Sequence, residues 1–218
     1  RIIHLSENRY EWIVTDLALI MAQAVHVPVH STHAAEQIAY QIAHAGARLI
    51  LLSTAEQLAK VNAIATKLEP IPTTVAYDCP GGTIAGQEVL SYESLLTSAS
   101  GQEQLDVEQR ALDALTPDSL ATILYTSGTT GDPKGVMLSQ HNLVSNTLAA
   151  LEAIHVEPED RRLTFLPLSH VFARVAGLYG WVASGCELAL AESRETVLAD
   201  CAVVRPTLLN GVPYFYDR

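Results

Sequence analysis

Residues 125–135, Tyr125-Thr126-Ser127-Gly128-Thr129-Thr130-Gly131-Asp132-Pro133-Lys134-Gly135, gather four aliphatic hydroxyls, three glycines and one lysine directly behind an apolar run. This composition suits a polyphosphate. Gly128, Gly131 and Gly135 would let the backbone take positive φ and approach oxygen atoms closely. Exposed N–H groups and the hydroxyls of Thr126, Ser127, Thr129 and Thr130 would donate hydrogen bonds. Lys134 would supply a compact countercharge. A plain Gly/Ser/Thr surface loop shares the composition, but this ordered string with Pro133 and Lys134 is far more specific than a lone glycine motif. It is not a Walker A loop, because Lys134 follows a proline and leads into an apolar strand rather than a helix. No Gly-x-Gly-x-x-Gly dinucleotide pattern occurs either.

Other reactive side chains are weaker candidates. His170, in Leu166-Pro167-Leu168-Ser169-His170-Val171-Phe172, follows a proline-broken apolar strand. Strand-end residues of α/β folds often face a ligand, so a neutral imidazole touching a reacting group and a hydrogen-bonded structural histidine stand side by side. Arg174 reads as a structural ion-pair partner. Gly211, Val212 and Pro213 read as a strand-to-helix turn. His26, His30 and His33 are spaced for one helical face, but Pro28 and an extended pattern break it, and no cysteine lies near. They are expected to face solvent, and no metal site is assigned.

The elements that must position these residues alternate. Helical patterns are expected at Trp12–Ala24, Ala34–Ala45 (stopped by Gly46) and Glu56–Leu68. Extended segments are expected at His26–His30, Arg48–Leu52 and Thr73–Tyr77. A turn-rich stretch follows, and the polar residues 98–115 are the linker candidate. The organisation expected is a first α/β lobe over 1–97, that linker, and a second α/β segment over 116–218. In the second segment Leu120–Tyr125 and Val136–Leu138 flank the loop as strands. A helix starts near Ser139, a plausible N-cap, with Leu143, Val144, Leu148 and Leu151 on one face. A strand at Glu187–Ala191, a helix at Glu195–Val204 and an extended Thr207–Asn210 complete it. Such alternation indicates a layered α/β fold.

Composition narrows the classes further. With 218 residues, 49% hydrophobic, the chain can bury a sizeable core. Its 24 acidic and 13 basic residues give a formal charge of -11, which opposes nucleic acid and anionic membranes. ATP is still admissible, since local N–H dipoles and one lysine decide that contact. Three cysteines without a Cys-x-x-Cys pair fit a reducing, cytoplasmic compartment. The apolar stretch Trp12–Val29 is interrupted by Asp16, Gln23, His26 and Pro28, so it is not read as a membrane span. Peripheral attachment at the inner face of a membrane stays open. The start at Arg1 and the end at Arg218 are read as truncations of a longer chain.

The string YTSGTTGDPKGV resembles the phosphate-binding signature of the adenylate-forming superfamily, which holds acyl-CoA synthetases, luciferases and peptide-synthetase adenylation domains. ENRYEWIVTDLA (Glu7–Ala18), LPLSHVFARV (Leu166–Val175) and the C-terminal VRPTLLNGVPYFYDR are similar to the long-chain fatty acyl-CoA synthetase branch. The resemblance covers essentially the whole chain. It implies the layered αβα sheets of that family's large N-terminal domain, incomplete, without the small C-terminal domain. It implies an AMP-forming acid–thiol ligase with ATP, Mg2+, a fatty acid and CoA as partners. Thr126, Ser127, Gly128, Thr129, Thr130, Gly131 and Lys134 would hold the β- and γ-phosphates, and the His170 segment would line the acyl and adenylate pocket. The family's adenine-binding segment, magnesium-binding glutamate, ribose aspartate and catalytic lysine have no counterpart before Arg218, so the chain alone is expected to lack complete ligase activity. Two alternatives remain at this level: another adenylate-former, such as an acyl-AMP ligase or a carrier-protein loading domain, and a non-catalytic nucleotide-binding module.

Overall fold

A computed structural model of the chain describes residues 1–79, 81–98, 102–126 and 132–216. The chain divides into two compact units, Arg1–Gln140 and His141–Arg218.

The first unit runs β1 (Ile2–Leu5), α1 (Tyr10–Met21), β2 (His26–Val29), α2 (Ala35–Ala45), β3 (Leu49–Leu52), α3 (Ala55–Ala63) and β4 (Thr73–Ala76). It continues with β5 (Thr83–Ile84), β6 (Gln87–Glu88), β7 (Leu90–Ser91), α4 (Tyr92–Ser98), α5 (Gln102–Asp113), β8 (Leu120–Thr126) and β9 (Lys134–Ser139). Seven strands form one sheet in the order β7-β4-β3-β1-β2-β8-β9. All its pairings are parallel except β8 with β9. Strands β5 and β6 form a separate antiparallel pair.

Local chemistry explains the helix ends. Gln37 Oε1 accepts the Ala34 N–H at 3.0 Å ahead of α2, and Gly46 ends that helix at φ 61°, which favours glycine. Thr54 caps α3 by accepting the Gln57 N–H. The helix expected over Glu56–Leu68 stops at Ala63, and a 3₁₀ turn at Ala65–Lys67 follows. Within the stretch expected as a linker, Gln102–Asp113 is helical.

The largest departure from the sequence reading is β1. Ile2–Leu5 carries no periodic pattern of its own, yet it lies between β2 and β3 in the sheet. Four residues interrupted by His4 carry too short a pattern to stand out.

The chain steps from β1 to β2 on one side, then returns past β1 to β3 and β4. Right-handed crossovers therefore place α1 on one face of the sheet and α2 and α3 on the other. The α2/α3 face carries the main apolar cluster, including Ile3, Leu5, Val27, Val29, Ile50 and Leu52. Alternation along the strands sends His4, His26 and Thr122 to the α1 face.

The second unit holds α6 (Gln140–Ala153), β10 (Arg161–Thr164), a π-helical segment Ala173–Tyr179 running into α7 (Gly180–Ser184), β11 (Glu187–Leu190), α8 (Val197–Val204), β12 (Leu208–Leu209) and α9 (Pro213–Tyr216). Its sheet has the order β11-β10-β12, all parallel. The apolar face expected on α6 is corrected. Leu143 is buried, but Val144 and Leu148 are 54% and 55% exposed. The buried line passes instead through Leu143 and Thr147, whose hydroxyl donates to the Leu143 carbonyl at 2.8 Å and so hides its polarity.

Candidate functional site

The glycine- and hydroxyl-rich loop connects β8 to β9, the one antiparallel pair in the large sheet. Thr126 lies directly opposite Lys134, and Tyr125 opposite Gly135. Ser127, Gly128, Thr129, Thr130 and Gly131 lie outside the described residues. Strand pairing thus brings the first hydroxyl and the lysine of the motif to the same rung of the ladder. Both are exposed. Because β8 runs parallel to β2, the loop leaves the sheet at the carboxyl end of its parallel strands, where open α/β sheets bind ligands.

The back of this neck is braced by α2. Tyr40 and His44, one helical turn apart, stack with ring centroids 5.2 Å apart. Tyr40 Oη donates to the Pro133 carbonyl at 3.1 Å. His44 Nδ1 and Tyr125 Oη are hydrogen-bonded at 2.8 Å. Burial, and to a lesser degree the neighbouring Tyr40, push the Tyr125 phenol up from its ordinary value. That shift favours the protonated phenol, whose O–H can donate to His44 Nδ1. Sequence reading missed Tyr40 and His44, whose only trace is a Tyr-x-x-x-His spacing inside a helix.

Gly135 is a correction of cause. Positive φ is found at Gly46, Gly81, Gly86 and Gly185 among the described glycines, not at Gly135. Its constraint is space. A Cβ there would sit 2.9 Å from Ile123 Cγ2 and 3.5 Å from the Tyr125 ring, so these two side chains occupy the space that a side chain at 135 would need.

His170, in the second unit, is exposed. Its Nδ1 accepts the Phe172 N–H at 3.3 Å, and its carbonyl accepts the Arg174 N–H at 3.1 Å. It therefore caps the helical segment that starts at Val171. The π-helical turns that follow lie in the type of irregularity often found at functional sites. Within them Arg174 is fully buried, with its guanidinium 5.5 Å from the Tyr179 ring centroid. Gly211 meets another packing constraint. A Cβ there would fall 2.7 Å from the Tyr216 ring, while Tyr216 Oη donates to the Leu209 carbonyl at 3.0 Å.

The expected solvent exposure of His26 is wrong. The side chain is fully buried on β2, 2.6 Å from Asp16 Oδ1 through Nδ1. Its Nε2 lies 3.0 Å from His4 Nδ1, His4 Nε2 3.0 Å from Tyr77 Oη, and Tyr77 Oη 2.8 Å from Thr15 Oγ1. Trp12 stacks on His4. With both rings neutral, one set of tautomers serves the whole line: Thr15 to Tyr77, Tyr77 to His4, His4 to His26, His26 to Asp16. Burial raises the Tyr77 phenol well above its ordinary value, which keeps it a donor. Adjacent sequence could not reveal this line, since its members come from β1, α1, β2 and the residue after β4. No cluster of three or more His, Cys, Asp or Glu among the described residues is arranged to hold a metal ion. No described helix is long and apolar enough to cross a membrane.

A family model described as AMP-binding enzyme matches residues 1–218. The chain is 32% identical over 217 residues to long chain acyl-CoA synthetase 7, peroxisomal, of Arabidopsis thaliana, covering 97% of this chain and 30% of that protein. It is 29% identical over 221 residues to the long-chain-fatty-acid–CoA ligase FadD15 of Mycobacterium tuberculosis, covering 100% and 35%. It thus spans about a third of the length of these curated relatives. Among solved structures, ATP-bound MatB from Rhodopseudomonas palustris superposes with a TM-score of 0.73 at 25% identity, covering 100% of this chain and 40% of that one. A second structure from Rhodopseudomonas palustris, described as a putative long-chain-fatty-acid CoA ligase, gives 0.78 at 19% identity, a likeness of fold.

Proposed function

Because the chain belongs to the AMP-binding enzyme family, we propose that it is the pyrophosphate-holding part of an ATP-dependent long-chain fatty acyl-CoA ligase. The observation that carries this reading is the ladder pairing of Thr126 with Lys134 at the mouth of the hydroxyl-rich loop. In the intact protein a fatty-acid carboxylate oxygen attacks the α-phosphorus of ATP, the bond to the bridging oxygen breaks, and pyrophosphate leaves. The CoA sulfur then attacks the acyl carbon and AMP departs with the electron pair of the acyl–oxygen bond. Lys134 and the loop from Thr126 to Gly131 grip the β- and γ-phosphates and stabilise the charge moving onto the leaving group. They bind and neutralise; they are not nucleophiles.

His170 is proposed to line the acyl and adenylate pocket. Its Nδ1 is engaged by the Phe172 N–H, which leaves Nε2 as the ring nitrogen for any such contact. No group of three or more His, Cys, Asp or Glu among the described residues is placed to hold a metal ion; the magnesium ligands are proposed to belong to the rest of the protein. The names of the relatives support the long-chain acyl substrate and CoA as acceptor.

Carboxylate-dependent ATP–pyrophosphate exchange by the intact protein tests the reading. Lys134→Ala should lower the exchange rate by about 10- to 1000-fold, the equivalent of roughly 1.4 to 4 kcal/mol of charge stabilisation. An unchanged rate refutes the role. A panel of fatty acids from short to long, assayed with CoA, then decides the substrate branch.

A further inference from the structure

We infer that Tyr40, His44 and Tyr125 form a positioning ledge that sets the phosphate-gripping residues from behind, an inference that rests on the proposed role of Lys134.

Each tie lands one residue away from a ligand-end residue. Tyr40 Oη holds the carbonyl of Pro133, immediately before Lys134. His44 holds the hydroxyl of Tyr125, immediately before Thr126. Thr126 and Lys134 face each other across the ladder. The two ties therefore fix both sides of one rung.

The geometry separates support from function. Side chains alternate along a strand, so Tyr125 turns toward α2 while Thr126 and Lys134 turn to the opposite face. The ledge thus contacts no face on which a phosphate would sit on Lys134. Its three rings pack together, with the Tyr40 and Tyr125 centroids 6.2 Å apart and those of His44 and Tyr125 5.7 Å apart, both edge to face. Gly135 completes it, because its missing Cβ leaves room for the Tyr125 ring and Ile123. The ring stack is anchored on a helix whose inner face, with Ile38 and Ile42, belongs to the main apolar cluster. A rigid core is in this way carried out to the loop. A gripping group held on such a scaffold needs less ordering when the nucleotide arrives, so loosening it weakens nucleotide capture before it touches the fatty-acid site.

The test uses the intact protein and variants that keep the rings. Tyr40→Phe removes the bond to Pro133 and retains the stack on His44; Tyr125→Phe removes the bond to His44 and retains the packing on Gly135. Each should raise the KM for ATP in pyrophosphate exchange by about 3- to 10-fold, with the double variant larger than either. The KM for the fatty acid and the melting temperature should stay close to wild type. Tyr40→Trp, which retains an aromatic ring and an N–H donor, should recover part of the loss if the bond to Pro133 matters. Lys134→Ala serves as the reference for the site itself. If Lys134→Ala abolishes exchange while both phenylalanine variants keep the wild-type KM for ATP, the ledge is overturned and the proposed function stands. If both KM values rise together with a lower melting temperature, the residues serve stability alone and the ledge is likewise overturned. If the wild-type protein neither exchanges pyrophosphate with any fatty acid nor binds Mg-ATP by calorimetry, the functional reading falls and the ledge with it.

Discussion

Both units bury side chains that can carry charge, but of different kinds. The first buries a carboxylate, Asp16, with two imidazoles, His26 and His4. The second buries two guanidiniums, Arg162 and Arg174. An imidazole can shed its proton and stay in a dry interior as a neutral donor and acceptor, whereas a guanidinium keeps its charge at every accessible pH. The first unit can therefore arrange a line of hydrogen bonds ending on one carboxylate. The second must surround permanent cations with acceptors and aromatic faces, as Tyr179 does for Arg174. The consequence is a polar interior that can rest on neutral tautomers in one unit and must accommodate a fixed charge in the other.

The comparison is broken most directly at His26. His26→Ala would leave the Asp16 carboxylate buried without its 2.6 Å partner, and should cost about 3–5 kcal/mol of stability in urea unfolding. A loss below about 1 kcal/mol would show that the line contributes little. Arg174→Met keeps the bulk of the stem and removes the charge over Tyr179; about 1–3 kcal/mol should be lost in the same experiment. If it equals or exceeds the His26 variant, the contrast between the two interiors is wrong.

The smallest effect is expected in acid, where each unit contributes one exposed or partly exposed carboxylate. Glu11 is held below the usual carboxylate range chiefly by its hydrogen bond from Arg9. Asp160 is held down by the Thr207 hydroxyl first and the Glu157 N–H second. A carboxyl whose folded value is depressed adds stability above its unfolded value and loses that contribution as pH falls through the folded value. Melting temperature followed below about pH 4.5 should therefore fall slightly less steeply in Glu11→Gln and in Asp160→Asn than in wild type. An identical acid limb would remove these two bonds from the account.

Much of the first unit was legible because its signals are local. Gly46 ends α2 where a glycine after an apolar-periodic helix should end it, and the expected strands at His26, Arg48 and Thr73 lie within a residue or two of β2, β3 and β4. The second unit was less so. Thr147 took the place assigned to Val144 and Leu148 because a hydroxyl that bonds back to its own helix can be buried like an apolar group, and a period count cannot see that exchange.

By itself the sequence carried the family, since the order of hydroxyls, glycines, Pro133 and Lys134 is a property of neighbouring residues, and the family model matches residues 1–218. It also determined the α/β alternation, which follows from periods of about four and two residues. Only the tertiary structure decided that Ile2–Leu5 lies within the main sheet, that Thr126 faces Lys134, and that Tyr40 and His44 brace the rung from α2. It alone turned Gly135 from a residue needed for its φ into one needed for its missing Cβ. The reason is common to all four: each depends on atoms brought together from distant parts of the chain or across a ladder, and such contacts leave no periodic or compositional trace in the residues that make them.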